Sequence, residues 1–184
     1  MSTGKVVGDL VEKYTVEGIV DLDAVVLKFG ATIKSEIIEN TWRGKLTYDE
    51  NDGVSPVFTL NESNTPPENK CTLALLFAKY LIQLGIGSFR EHTVDAFFLQ
   101  DIRQYRESPQ IMLATHLAIP PEVLAQVNEI TFNSSEYARS ADLTTNFINS
   151  AFNVSRVAGL LSLFTHLNIT SDGRQGRIRT RRKR

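Results

Sequence analysis

From Asn69 to Leu84 the chain reads NKCTLALLFAKYLIQL, and between Cys71 and Leu84 only Thr72, Lys79 and Gln83 are not apolar, with Ala and Tyr counted as apolar. A helix written this way has almost no face to offer water, so it must be buried nearly all round. The remaining segments have to supply its cover. With 184 residues, 42% hydrophobic and 22% charged, the chain has material for one good core and the balance of an ordinary soluble globular protein. No apolar run approaches the ~20 residues that span a bilayer, and the opening MSTGKVVGDLVEKY lacks a signal-peptide core. A cytoplasmic protein with no membrane partner is the expectation. The single cysteine, Cys71, cannot form an internal disulfide, and its place on the apolar helix marks it as a packing residue.

Residues 5–14 and 21–29 carry the three- and four-residue apolar spacing of amphipathic helices. Asp21 is placed to cap the second and Gly30 to end it. Three strand candidates follow, Ala31 to Ile38, Trp42 to Tyr48 and Val57 to Leu60, separated by polar segments rich in turn residues. Thr65, Pro66 and Pro67 read as a breaker before the core helix, with Glu68 or Asn69 at its start. Beyond Gly85 and Gly87, Val94 to Tyr105 reads as a helix with Phe97, Phe98 and Ile102 on one face. The class is therefore α+β, a small antiparallel sheet packed on a buried central helix.

Thr72, Ala74, Tyr80 and Leu81 of the core helix fit the frame R-x-T-x-A-H-E-L-G-H-Y-L, and the stretch resembles the active-site helix of the ImmA/IrrE family of zinc metallopeptidases. In HExxH the two histidines lie four residues apart on one helical face to hold zinc, and the Glu activates the zinc-bound water. Here Leu75, Leu76 and Lys79 stand at those positions, in the run Leu75-Leu76-Phe77-Ala78-Lys79. Leucine has no lone pair for a metal and no carboxylate to take a proton, and an ammonium repels a dication.

Two more segments resemble the family in its own order. VDLDAVVLKFGATIKSE, a short helix closed by glycine before a strand, is similar to its opening, and SPQIMLATHLAIPPEVLAQV, from Ser108 to Val127, is similar to its second signature. Aligning Ile119-Pro120 with the family's Met-Pro puts the third zinc ligand at Pro109, which has no side-chain donor, with Glu107 two residues away. The stretch from Asp142 to Ile169 resembles the small helical element that closes these proteins, matching at Phe152, Val154, Ser155, Ala158, Leu163 and Leu167. Helix, tight turn, helix is also the outline of a DNA-binding helix-turn-helix, but the exposed positions of its second helix offer only Arg156 as a permanent charge.

The resemblance implies a zincin-like minimal fold over residues 1–170, with a C-terminal helical pair at 142–169 and a metal site that has been erased. It thus implies a pseudo-peptidase, not an enzyme, needing no cofactor. Members of the family sit in phage and other mobile-element contexts and cleave or control a repressor. A member without the metal is expected to bind a protein partner, such as a regulator, without cutting it.

Other chemistry is thin. His92, His116 and His166 are never in a paired spacing, and Glu91-His92 with Asp95, the only local cluster of possible ligands, reads as a solvated helix start. There is no G-x-S-x-G, and Gly85-Ile86-Gly87-Ser88 lacks the lysine and spacing of a phosphate loop. What remains is the end of the chain. RQGRIRTRRKR holds Arg174, Arg177, Arg179, Arg181, Arg182, Lys183 and Arg184 and no acid, leaving 13 basic against 21 acidic groups, a net charge of −8, on residues 1–173. Residues 171–184 are expected to form a disordered basic tail open to a polyanion, and sequence-independent nucleic-acid binding through it is the alternative function. A solubilising tail, or one that pairs with the acidic body, is the other reading. Residual peptidase activity through unrecognised ligands ranks last.

Overall fold

A computed structural model describes residues 3–151 except 40, 106, 107, 128 and 130. Of the expected helical pair at 142–169 the residues from 152 onward, and with them His166, the basic residues from Arg174 to Arg184, and Glu107, lie outside the described residues. In chain order the elements are α1 (Thr3–Lys13), β1 (Thr15–Val16), β2 (Ile19–Val20), α2 (Leu22–Lys28), β3 (Thr32–Glu36), β4 (Trp42–Tyr48), β5 (Pro56–Asn61), α3 (Pro66–Ile86), β6 (His92–Asp95) and α4 (Ala96–Gln100). A 3₁₀ turn (Ile102–Tyr105), α5 (Pro109–Ala118), α6 (Pro121–Gln126), α7 (Ser134–Ser140) and α8 (Thr145–Ser150) complete it. The class is α+β.

α3 is buried as its composition demands. Every residue from Cys71 to Ala78 is buried, and so are Tyr80, Leu81 and Gln83. It is longer than Asn69 to Leu84, and its start corrects the reading of a breaker. Thr65 is the N-cap, its hydroxyl accepting from Glu68 N while Glu68 reaches back to Thr65 N, and Pro66 and Pro67 occupy the first turn. A proline there loses an N–H that has no helical partner anyway. The helix runs through Gly85 and stops at Gly87, whose φ of 64° is the left-handed conformation of a C-terminal cap. Buried Gln83 then ties the following loop down: its Oε1 accepts from Arg90 N at 2.8 Å and from the Tyr48 hydroxyl, and its Nε2 donates to Arg90 O at 3.0 Å.

The four-stranded sheet has the order β3-β5-β4-β6 and is mixed, not wholly antiparallel: β3 runs parallel to β5, while β4 is antiparallel to both β5 and β6. The short connection from β3 to β4 would suit a hairpin, yet β5 enters between them. Asn61, at the end of β5, makes this possible by donating to Trp42 O at 2.8 Å and Ile38 O at 3.3 Å, so the backbone crossing over β5 finds partners. The sheet meets α3 at Gly44, where a Cβ would lie 2.6 Å from Thr72 Cγ2, 2.9 Å from Thr59 O and 3.2 Å from Leu76 Cδ1. Only a residue without a side chain lets strand and helix approach so closely.

A second correction concerns Val94 to Tyr105, which is not one helix. Residues His92–Asp95 pair with β4, Ala96 N donates to Thr41 O at 2.8 Å, and the Asp95 carboxylate caps α4 by accepting from Phe98 N at 2.6 Å. Ile102 is fully buried while Phe97 is 69% exposed, so they share no face. Asp21 and Gly30 do bound α2, with Asp21 accepting from Ala24 N at 3.0 Å and Gly30 at φ 99°. α7 is absent from the expectations, although Asn133 with Glu136 three residues on is a helix-start signature.

Consecutive α3 side chains fix the approach to α8. Lys70 Nζ donates to Ala141 O at 2.8 Å, and Cys71 Sγ accepts from Thr144 N at 3.4 Å. Burial pushes the Cys71 thiol up to about 11, in keeping with a packing residue. Among the described residues no helix is long and apolar enough to cross a membrane.

Replacing Gly44 by alanine forces the sheet off α3 and is expected to cost about 1–3 kcal/mol, the usual range for overpacking a core. Urea unfolding of the variant against the parent measures it. An unchanged midpoint would mean that the contact has slack.

Candidate functional site

The residues that align with the family's metal ligands come from two helices. Leu75, Leu76 and Lys79 lie on α3 and Pro109 is the first residue of α5. The helices meet here, because Gln110, next to Pro109, donates from Nε2 to Leu75 O at 3.0 Å. The same nitrogen lies 3.3 Å from His92 Nε2 on β6. One locus therefore gathers Leu75, Lys79, Pro109, Gln110 and His92.

Its chemistry is that of a filled site. Leu75 and Leu76 are fully buried, and Leu76 is held under Gly44. Lys79 is half-buried. Burial first, and the Lys79 ammonium second, depress the pKa of His92 below that of an ordinary imidazole. The amide nitrogen of Gln110 can only donate, so its contact requires an unprotonated His92 Nε2, the neutral form that those surroundings favour. One imidazole, one amide and one cation do not suit zinc, which takes four donors of nitrogen, sulfur or carboxylate type. Among the described residues, no group of three or more His, Cys, Asp and Glu side chains is placed to hold a metal.

The cluster at Glu91, His92 and Asp95 is not the solvated helix start expected from the sequence. Asp95 is engaged as the α4 cap, Glu91 is exposed, and His92 turns toward α5. Sequence reasoning missed the pairing of His92 with Gln110, since their 18-residue separation has no local signature.

His116 marks a second region. It is half-buried, burial lowers its pKa, and its Nε2 is enclosed without a hydrogen-bond partner among the described residues. It lines a groove of about 730 Å³ between α1 and the corner joining α5 to α6. That is within the range of about 300–1,000 Å³ usual for ligand clefts. Val7, Val11 and Leu117 form an apolar floor, with Asp9, Glu12 and Glu122 also along its lining. Nothing in the sequence pointed to this groove except the two glycines, Gly4 and Gly8, inside an otherwise regular amphipathic helix.

No family model matches the sequence, and no curated protein matches it either.

Both histidines are depressed, so the folded state binds fewer protons than the unfolded chain between the folded pKa and the ordinary value of 6.5. Their contribution to stability is complete above 6.5 and is lost as pH falls below it. Urea titrations from about pH 8 to about pH 5 should show unfolding free energy falling with acid, and less steeply after His92→Gln with His116→Gln. Identical slopes would show that other groups carry the dependence.

Rebuilding the family motif by Leu75→His, Leu76→Glu and Lys79→His should lower stability by about 2–5 kcal/mol, since polar groups replace buried leucine. A variant that folds normally and binds zinc tightly would mean that the locus is an open cleft.

Proposed function

We propose that the chain is a catalytically inactive, metallopeptidase-like protein that acts by holding a protein partner, a regulator in a phage or other mobile-element setting, without cleaving it. The observation that carries this reading is the full burial of Leu75 and Leu76, the latter against β4 at Gly44, at the positions that align with a zinc ligand and a general base. With leucines there and Lys79 at the second histidine position, the frame of such a helix persists without donors or a proton acceptor. The order of the three similar segments supports the family part of the reading.

The purified protein is expected to hold no stoichiometric zinc, and chelators should leave its thermal midpoint unchanged. About one tightly bound zinc per chain by elemental analysis would sink the proposal. Affinity capture with the intact chain, followed by mass spectrometry of the captured protein before and after incubation, separates holding from cutting. A partner retained at full length is expected, and a shortened one would restore a peptidase.

A second reading is sequence-independent nucleic-acid binding, favoured by seven basic residues between Arg174 and Arg184. Such contacts release counterions and carry no base information. Deleting residues 174–184 should then abolish binding to two unrelated duplexes and to an RNA alike, with the intact chain's affinity falling steeply as salt rises. Equal binding by the truncated form would rule the tail out.

A further inference from the structure

We propose that the groove between α1 and the α5–α6 corner is the docking site of the chain's own basic terminus, with Ile178 on the apolar floor and Arg177 and Arg179 against the acidic side chains that line it. This goes beyond the reading above and does not involve the Leu75 to Lys79 locus.

The first observation is a glycine without a packing reason. Gly8 lies inside α1, where glycine is less stable than alanine, yet a Cβ built on it meets no atom of the described residues within 4 Å. At Gly44 the neighbouring helix explains the missing side chain; at Gly8 none of the described residues does. What the missing side chain leaves is an open wall, where a visiting side chain can lie directly against the α1 backbone.

The second observation is charge. Asp9, Glu12 and Glu122 line the groove against a single Lys5, which pairs with Asp9 at 3.1 Å, so two acidic charges remain in excess. The visitor they select is cationic around an apolar centre. The end of the chain is written that way: Ile178 is the only large apolar residue between Arg174 and Arg184, with an arginine on either side. The link suffices: even with residues 155–169 helical, as the sequence predicts, the 27 residues from Ala151 to Ile178 can span up to about 60 Å, against a radius of gyration of about 15 Å for a domain of this size. An intramolecular ligand also binds at high effective concentration, so modest contacts are enough.

The test uses the intact chain with Ile178 replaced by the photoreactive p-benzoylphenylalanine. Irradiation of the dilute monomer should give an intrachain cross-link to residues 7–12 or 117–122. Adding Gly8→Leu, which fills the groove where no atom of the described residues opposes it, or Glu12→Lys with Glu122→Lys, should cut that cross-link roughly tenfold, as expected when a buried contact or two ion pairs are removed. Gly8→Ala, which leaves room, should keep most of it, and circular dichroism confirms that each variant is folded. Cross-links to another surface, cross-links only between chains, or yields that ignore all the substitutions would overturn the proposal. None of these outcomes bears on zinc content or on partner cleavage, so failure here leaves the non-catalytic reading untouched.

Discussion

The approach of β4 to α3 at Gly44 is the contact on which the rest of the molecule depends. It sets the spacing between sheet and helix over Thr72 and Leu76, and so keeps that face of the helix dry. Phe58 of β5 and Phe77 of α3 pack edge to face nearby at 5.3 to 6.4 Å from Phe29, Tyr80 and each other, adding aromatic contacts to the same layer. One face of α3 is closed by strands and another by α5. The apolar letters of α3 and its burial are one fact seen twice.

What could be read from the sequence was local. Asp21 and Gly30 bound α2 through side-chain and backbone geometry within a few residues, and the burial of α3 follows from its own composition. Segments that depend on distant partners were misread. His92–Asp95 becomes a strand because β4 lies beside it, and the parallel pairing of β3 with β5 relies on Asn61 holding backbone near Trp42 and Ile38. The α3 part of the candidate site was legible as leucines and a lysine. Its other half, Gln110 reaching both Leu75 and His92, exists only once the two helices and the sheet edge have met.

The two polar regions differ in what they leave unmet. At the α3 locus the Gln110 amide and His92 satisfy one another, so the site is electrostatically settled around a cation. In the groove, His116 keeps an enclosed nitrogen without a partner among the described residues, and acids outnumber bases. A folded surface with surplus charge and apolar floor is the more receptive of the two.

The central position of β5 has a further consequence, for the order in which the sheet assembles. β3 and β4 are joined by only residues 37–41, and a chain that has emerged as far as Tyr48 has no native strand partner for either. Any hairpin the two form with each other has to open before β5 can enter between them. The strand made last of the three is the one both others need, so β3 and β4 are joined only when Pro56–Asn61 arrives, and β6 adds to the free edge of β4 after the helix that follows. Such a topology divides the work: β4 and β5 can meet as a local antiparallel hairpin, while the parallel pairing of β3 with β5 is the longer-range step that slows the search.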